Sequence, residues 1–269
     1  ADLNDVNMID PFHLEARGEA VVNYNRDCEI FPVVNAMFEL IFGKSPYKSP
    51  TEMGVNMAGN CIIDDEACRE ASKQEIIRRY YKCLCEKRRN GTTKDDICRL
   101  ELLMKQAEIT VEDRKVTIVA LEREKNENGN PAMAIELRDG TIVSGGTSEL
   151  LGAASSALIN ALKVLAGIDK EVKLIDPKAI DPIQDLKINY LGSKNPRLHT
   201  DEVLTALSAT AANNEIAMKA MKKLPLLKGC DAHSTVLLSS VDEQIFKKLG
   251  IQLTCEPKYE EDERMYHKN

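Results

Sequence analysis

Thr235-Val236-Leu237-Leu238-Ser239-Ser240-Val241-Asp242-Glu243-Gln244-Ile245-Phe246-Lys247-Lys248-Leu249-Gly250-Ile251-Gln252-Leu253-Thr254-Cys255 is the stretch that decides the fold. It reads as a strand over 235–238, a helix over 241–249 and a strand over 251–255. Strands joined by a short helical crossover pair in parallel, and a parallel pair needs helices over its faces. Upstream lie helices after Thr200 and after Asn214, a Pro-punctuated connection and a short strand over 172–175. Residues 169–269 therefore form an α/β lobe.

The pattern differs over 111–168. Val116, Ile118 and Val119, then residues 132–137, then Asp139-Gly140, then Ile142 and Val143 predict two or three antiparallel strands with a tight Asp-Gly turn. Ser148 can cap a helix over 149–166, which Gly167 ends. This is a small α+β lobe. Residues 1–110 form a helical lobe. Its first helix follows Asp27 and stops at Gly43, and its longest runs from Asp64 or Asp65 to about Arg89 on a stripe that includes Ala67, Ala71, Ile77, Tyr80, Tyr81 and Leu84. A third helix begins at Thr92 or Thr93 and ends near Ala107. The fold class is mixed α+β and α/β.

Composition narrows the function classes. Of 269 residues, 43% are hydrophobic and 29% charged, near globular averages. Trp is absent and aromatics reach only 4%, so little surface is offered for bases to stack on. Lys plus Arg total 36 against 43 acidic residues, and the net charge of −7 repels a phosphate backbone. Nucleic acid is not an expected partner. No apolar run approaches the ~20 residues of a membrane span, and no secretory leader opens the chain, so no membrane partner is expected either. Eight scattered cysteines read as reduced thiols of a cytoplasmic protein. The chain begins at Ala1 rather than Met, which reads as a fragment or a processed product.

Three clusters could carry chemistry. In Leu191-Gly192-Ser193-Lys194-Asn195-Pro196-Arg197-Leu198-His199-Thr200, two cations, an Asn, a Ser and a His fall on a turn that feeds a helix N-terminus. Free N–H groups and the helix dipole suit a phosphate or carboxylate there, and Lys194 and Arg197 supply counter-charge. The blander reading is a polar turn with Thr200 as cap.

In Gly229-Cys230-Asp231-Ala232-His233-Ser234-Thr235, an acid, a His and two hydroxyls precede a strand. His233 could do acid-base work. Adjacent strand residues point to opposite faces, however, so His233 and Ser234 do not form a nucleophile-base pair.

Ser144-Gly145-Gly146-Thr147-Ser148-Glu149 has the outline of a phosphate cradle. It lacks the lysine of a nucleotide loop, and Glu149 in a first helical turn would repel an anion, so it reads as a connection. Gly43-Lys44-Ser45 lacks the upstream glycine and the following helix of a phosphate loop, and is a coincidence. Arg26 and Asn56, in Asn-rich segments, could line a polar pocket.

No metal site is expected. Cys83 and Cys85 diverge on a helix, and the four histidines show no paired spacing. No cofactor can be named.

Asp5-Val6-Asn7-Met8-Ile9-Asp10-Pro11-Phe12-His13-Leu14, Val22 to Asp27, Gly43 to Tyr47, Met53 to Met57, Ser72 to Tyr81, Leu191 to His199 and Ala232 to Thr235 together resemble the bacterial family known as domain of unknown function 1846. The resemblance covers essentially the whole chain. It implies that these segments are the C-terminal part of a protein nearly twice as long, whose N-terminal part carries a Gly-Pro-Gly-Ser-Gly-Lys loop. It also implies a helical lobe followed by two α/β lobes, the last a three-layer sandwich with deaminase-like topology. Deaminase chemistry is not implied, because the paired cysteines of the zinc signature are missing, and the resemblance brings no assigned reaction.

The expected function is an enzyme that binds a phosphate-bearing small molecule or nucleotide in a cleft between lobes. His233 and His199 are its catalytic candidates, and Ser193, Lys194, Asn195, Arg197, Ser234, Thr235, Asn56 and Arg26 its binding candidates. The competing expectation is a non-catalytic scaffold that forms a homo-oligomer through the long helix, with Tyr80 and Tyr81 at its surface.

Overall fold

The computed structural model describes residues 36–37, 39–43, 65–91 and 94–260, in two compact units divided between Arg114 and Lys115. Arg26 and Asn56 lie outside the described residues.

In the first unit, α1 (Asp65–Asn90) and α2 (Lys94–Gln106) close on a core of Ile76, Ile77, Tyr81, Leu100, Leu103, Met104 and Ile109. The spacing of Ile77, Tyr81, Leu84 and of Leu100, Leu103, Met104 puts each set on one helical face, which is why the two helices pack. Three basic residues in the last turn of α1, Lys87 to Arg89, suit its dipole. Gly91 then leaves the helix at φ +76°. Tyr81 is buried in this core, and the hydroxyl of Tyr80 donates to Glu101 Oε1 at 3.3 Å, so the pair does not form a two-sided aromatic surface.

The second unit is built on one four-stranded sheet. Its strands are β1 (Ala132–Glu136), β2 (Ile142–Gly146), β3 (Asp231–Ser234) and β4 (Gln252–Cys255), in the order β2-β1-β3-β4. β1 runs antiparallel to both neighbours, and β3 and β4 are parallel. β2, β3 and β4 therefore share a direction and end on the same edge. The segments 111–168 and 169–269, read from sequence as separate lobes, each contribute two strands to this sheet.

The hairpin turn at Asp139-Gly140 is as expected, with Gly140 at φ +82° and Leu137 N–H donating to Thr141 O at 2.8 Å. So is the parallel crossover, carried by α8 (Ser240–Lys248). The strand before it lies earlier, at Asp231–Ser234 rather than 235–238, because a Ser234 hydroxyl turn onto Val236 breaks the ladder. Residues 172–175 are bent, irregular backbone, not a strand.

Val116, Ile118 and Val119 belong to α3 (Lys115–Asn126), not to a strand. Three β-branched residues invite a strand reading, but Val116 and Ala120, four apart, fall on one helical face and pack on Ala134 of β1. On the opposite face, Met133 and Ile135 of β1, Val143 of β2 and Ala232 of β3 meet α4 (Ala153–Ala166). Helices thus cover both sides of the sheet.

Ala154, Ala157 and Ala161 keep α4 slim, and Leu158 and Leu162 are fully buried, each burial contributing about 2 kcal/mol. Gly145 allows this approach: a Cβ there would overlap the backbone nitrogen of Ala157. The remaining elements are α5 (Pro177–Asp185), a π-helical turn (Leu186–Tyr190), α6 (Thr200–Ala211) and α7 (Glu215–Met221).

Candidate functional site

A cleft opens at the edge where β2, β3 and β4 end. Thr147 follows β2, Val236 to Ser239 follow β3, and Glu260 lies beyond β4; Pro131, just before β1, completes the floor. Such an edge is where open α/β sheets bind ligands, because the chain leaves each strand there and the next helix begins there.

Three helices start at this cleft, and they are capped differently. α8 has Ser239 as its cap, whose hydroxyl accepts from Asp242 N–H at 3.2 Å. At α6 the cap position is His199; its N–H donates to Glu202 Oε2 at 2.7 Å, while Thr200 N–H donates to Asp242 Oδ1 at 2.9 Å. α4 begins at Gly152, which has no side chain to offer, and no acidic residue stands in its first turn. The helix itself cannot satisfy the N–H groups of Ala153, Ala154 and Ser155, and all three residues are buried in the cleft wall.

Sequence reading placed this helix start at Glu149, where the acid would repel an anion. The helix starts four residues later and Glu149 is exposed, since Ser148 instead closes a turn with Leu151. The charge objection to an anion at this terminus falls with it.

Asp242 is the polar hub. Its Oδ1 accepts from the N–H and hydroxyl of Thr200 at 2.9 and 2.8 Å, and its Oδ2 accepts from Ser239 Oγ at 2.7 Å and lies 2.9 Å from His199 Nδ1. Burial pushes the Asp242 carboxyl up. The hydrogen bond and charge of His199, with the Thr200 N–H and the Ser239 hydroxyl, outweigh this and hold it at about 2. Asp242 is thus a carboxylate at any physiological pH, and it orients the imidazole through Nδ1. Ser239 approaches the same nitrogen, at 3.5 Å, and donates to Asp242. A serine that nucleophilic catalysis could use would meet Nε2, so this is an orienting cluster and not a Ser-His-Asp triad.

The turn before α6 is held from beneath. Lys187, on the π-helical turn and only 6% exposed, donates through Nζ to Arg197 O and to Glu202 Oε2, both at 2.7 Å. Ser193 Oγ accepts from Asn195 N–H at 3.2 Å, and Asn195 Oδ1 accepts from Arg197 N–H at 3.0 Å. These bonds fix Asn195, Arg197 and His199 along one wall of the cleft, with Asn195 7% exposed. Arg197 Nη1 lies 2.6 Å from Glu260 Oε1. Each of the basic side chains Arg197 and His199 therefore already stands beside a carboxylate, whereas the α4 start has no side-chain cap.

The other sequence candidates lie elsewhere. Lys194 is exposed and does not line the cleft, and Ser193 is confined to its turn. His233 is fully buried on β3 and faces the α3 side with its neighbours Ala134 and Thr254. Its Nδ1 is 2.9 Å from Thr254 Oγ1, and its Nε2 is 3.2 Å from Glu256 Oε1. Ser234 closes the turn onto Val236, and Thr235 Oγ1 accepts from Ala132 N–H at 3.0 Å. These three shape the strand end and its exit without lining the cleft.

Sequence reading missed Asp242, Ser239, Glu260 and the Gly152 terminus. Ser239 and Asp242 carry the spacing of a helix cap, and nothing local ties them to His199, forty residues away. Among the described residues no group of three or more His, Cys, Asp or Glu could hold a metal ion, and no helix is long and apolar enough to cross a membrane.

Comparison with known proteins agrees with the division of the chain. Residues 1–108 match the domain of unknown function DUF1846, N-terminal, and residues 112–266 match its C-terminal counterpart. UPF0371 protein cu0538 of Corynebacterium urealyticum is 55% identical over 259 residues, covering 96% of this chain and 52% of the relative. UPF0371 protein stu1377 of Streptococcus thermophilus is 55% identical over 268 residues, covering 100% of this chain and 54% of the relative. The chain spans about half the length of the curated relatives it matches. With both halves of the family description matched in order across nearly every residue, this chain belongs to the DUF1846 family, whose members include these UPF0371 proteins.

Proposed function

We propose that this chain supplies a cleft for the anionic group of a small molecule, a phosphate ester or a nucleotide, and that the longer protein is an enzyme acting on it. One observation carries the reading: the uncapped, buried first turn of α4 opens into the same cleft as Asn195, Arg197 and His199. N–H groups at a helix start, with the positive end of the dipole, attract phosphate and carboxylate. His199 is the proton-handling group in this reading. Asp242 on Nδ1 selects the tautomer whose basic lone pair is on Nε2.

Lys194 adds attraction at longer range, and Ser193 sets the turn. His233, Ser234 and Thr235 act by holding the strand exit that forms the cleft floor. A deaminase-like three-layer arrangement of the second unit is part of the proposal, supported by helices on both faces of its sheet. Five free thiols among the described residues support a cytoplasmic protein.

A thermal-shift screen of the full-length protein with inorganic phosphate, nucleotides and sugar phosphates tests the proposal. A ligand at a hundred times its dissociation constant stabilises by about 2.7 kcal/mol, and Asn195→Ala and Arg197→Ala should each reduce the shift. If no anion shifts the wild type, the cleft has another purpose.

A scaffold reading keeps one observation in its favour. Leu186, Tyr190 and Leu191 are 50%, 75% and 73% exposed around the π-helical turn, an apolar patch of the kind that homo-oligomers cover. A monomer by light scattering at high concentration would dismiss it.

A further inference from the structure

The segment that follows β4 runs back along the exit of β3. Glu256 N–H donates to Ser234 O at 2.9 Å, Leu237 N–H donates to Lys258 O at 2.8 Å, and Lys258 Nζ reaches Glu124 Oε2 of α3 at 2.8 Å. The segment is therefore fastened as far as Lys258. Two residues later Glu260 enters the cleft, where its Oε1 lies 2.6 Å from Arg197 Nη1, with the two side chains only 13% and 19% exposed. A guanidinium takes a carboxylate and a phosphate oxygen with the same planar donors. In the cleft proposed above to bind an anion, a basic side chain is thus matched to a carboxylate of the chain itself.

We infer that the Glu260 carboxylate holds the place of the ligand's anionic group on Arg197, so that residues 256–260 act as a strap with which the ligand competes. The inference rests on the reading of the cleft as an anion site. Its chemistry is an exchange of counter-ions. The ligand's phosphate or carboxylate takes the guanidinium, Glu260 turns out to solvent, and the bonds at Ser234 and Leu237 hold the strap by its root. Lys258, anchored to Glu124, lets only the last two residues move. The ligand class is therefore a compact anion, able to reach Arg197 beneath the strap.

Competition of this kind lowers apparent affinity by the fraction of time the strap is open. A strap open about a tenth of the time costs about tenfold, and removing Glu260 recovers it. Equilibrium dialysis of the full-length protein against inorganic phosphate should give about tenfold tighter binding for Glu260→Ala than for wild type. Glu260→Gln, which keeps a hydrogen bond and loses the charge, should fall between them, and Arg197→Ala should weaken binding with or without Glu260. Hydrogen exchange at the Leu237 amide gives a second readout: it should stay unchanged in Glu260→Ala, and in wild type on addition of phosphate, because the root of the strap stays bound, and quickened exchange there overturns a strap that moves only beyond Lys258. Equal affinity for wild type and Glu260→Ala, with Asn195→Ala still weakening both, overturns the strap and leaves the anion site standing. Absence of phosphate binding in all variants, with melting curves showing them folded, overturns both.

Discussion

The helix starts at α4 and at α6 stand side by side in one cleft and are treated in opposite ways. α6 is closed by its own protein: Glu202 takes the N–H of His199, Asp242 takes that of Thr200, and Lys187 neutralises Glu202 from below. α4 has glycine at its cap, alanine at its first two positions, and no acid in its first turn. The difference teaches that the α6 start is closed by side chains that also hold His199, while the α4 start has no side-chain cap, which is the contrast the proposed anion site rests on.

The strongest way to break the comparison is to remove its hub. Asp242→Ala takes away a buried carboxylate that accepts four hydrogen bonds, leaving the Thr200 donors and the Ser239 hydroxyl without it. Loss of a buried ionic partner costs about 4 kcal/mol, readable as a lower denaturation midpoint in urea at pH 7. Asp242→Asn should lose less, since the amide oxygen still accepts.

Next in size is the seating of α4. Gly145→Ala pushes a methyl into the backbone of Ala157, which cannot yield without moving the helix, and should cost about 3 kcal/mol. Gly146→Ala is the control. Its added carbon meets only the carboxylate end of Glu127, a flexible side chain, and the cost should be well under half as large. If the two variants melt alike, α4 is not held where the uncapped terminus needs it.

A pH titration sharpens the contrast electrostatically. The Asp242 carboxyl is held at about 2, against 3.8 for the ordinary group, so the unfolded chain binds its proton more readily than the folded one. The associated stability is fully present above about pH 4 and is lost as pH falls through 2. It amounts to about 2 kcal/mol. Urea midpoints from pH 5 down to 2 should fall more steeply for wild type than for Asp242→Asn, and parallel curves would contradict the hub.

The smallest effect is the most diagnostic. Gly152 sits at φ −68° with 4.0 Å of clearance to Leu198 O, so Gly152→Ser fits and supplies the missing cap. Stability should rise by only about 0.3 kcal/mol, while phosphate binding should weaken, because the serine oxygen takes the donors that the ligand would use. A stability gain with unchanged binding would show the α4 terminus to be idle.

Some of this was readable along the chain and some was not. The crossover through α8 onto β4 is legible because short apolar runs flank a helical stretch within about twenty residues, although the strand before it was placed at 235–238 and lies at Asp231–Ser234. The Asp139-Gly140 hairpin is legible because only a few residues adopt a positive φ cheaply. α3 was misread: Val116, Ile118 and Val119 favour strands intrinsically, and packing on Ala134 overrules that weak preference. His233 drew attention as a lone histidine beside two hydroxyls and proved to be enclosed between strand and helix.

What the sequence by itself determined is the family, the alternation of elements and the cluster that carries Asn195, Arg197 and His199, since those depend on periodicity and on residues within a few positions of one another. What the tertiary structure decided is the pairing of His199 with Asp242, of Arg197 with Glu260, and the exposure of an uncapped helix start to both. These join residues 43 and 63 positions apart, and a chain fixes such distances only when its strands have chosen their order and its helices their faces.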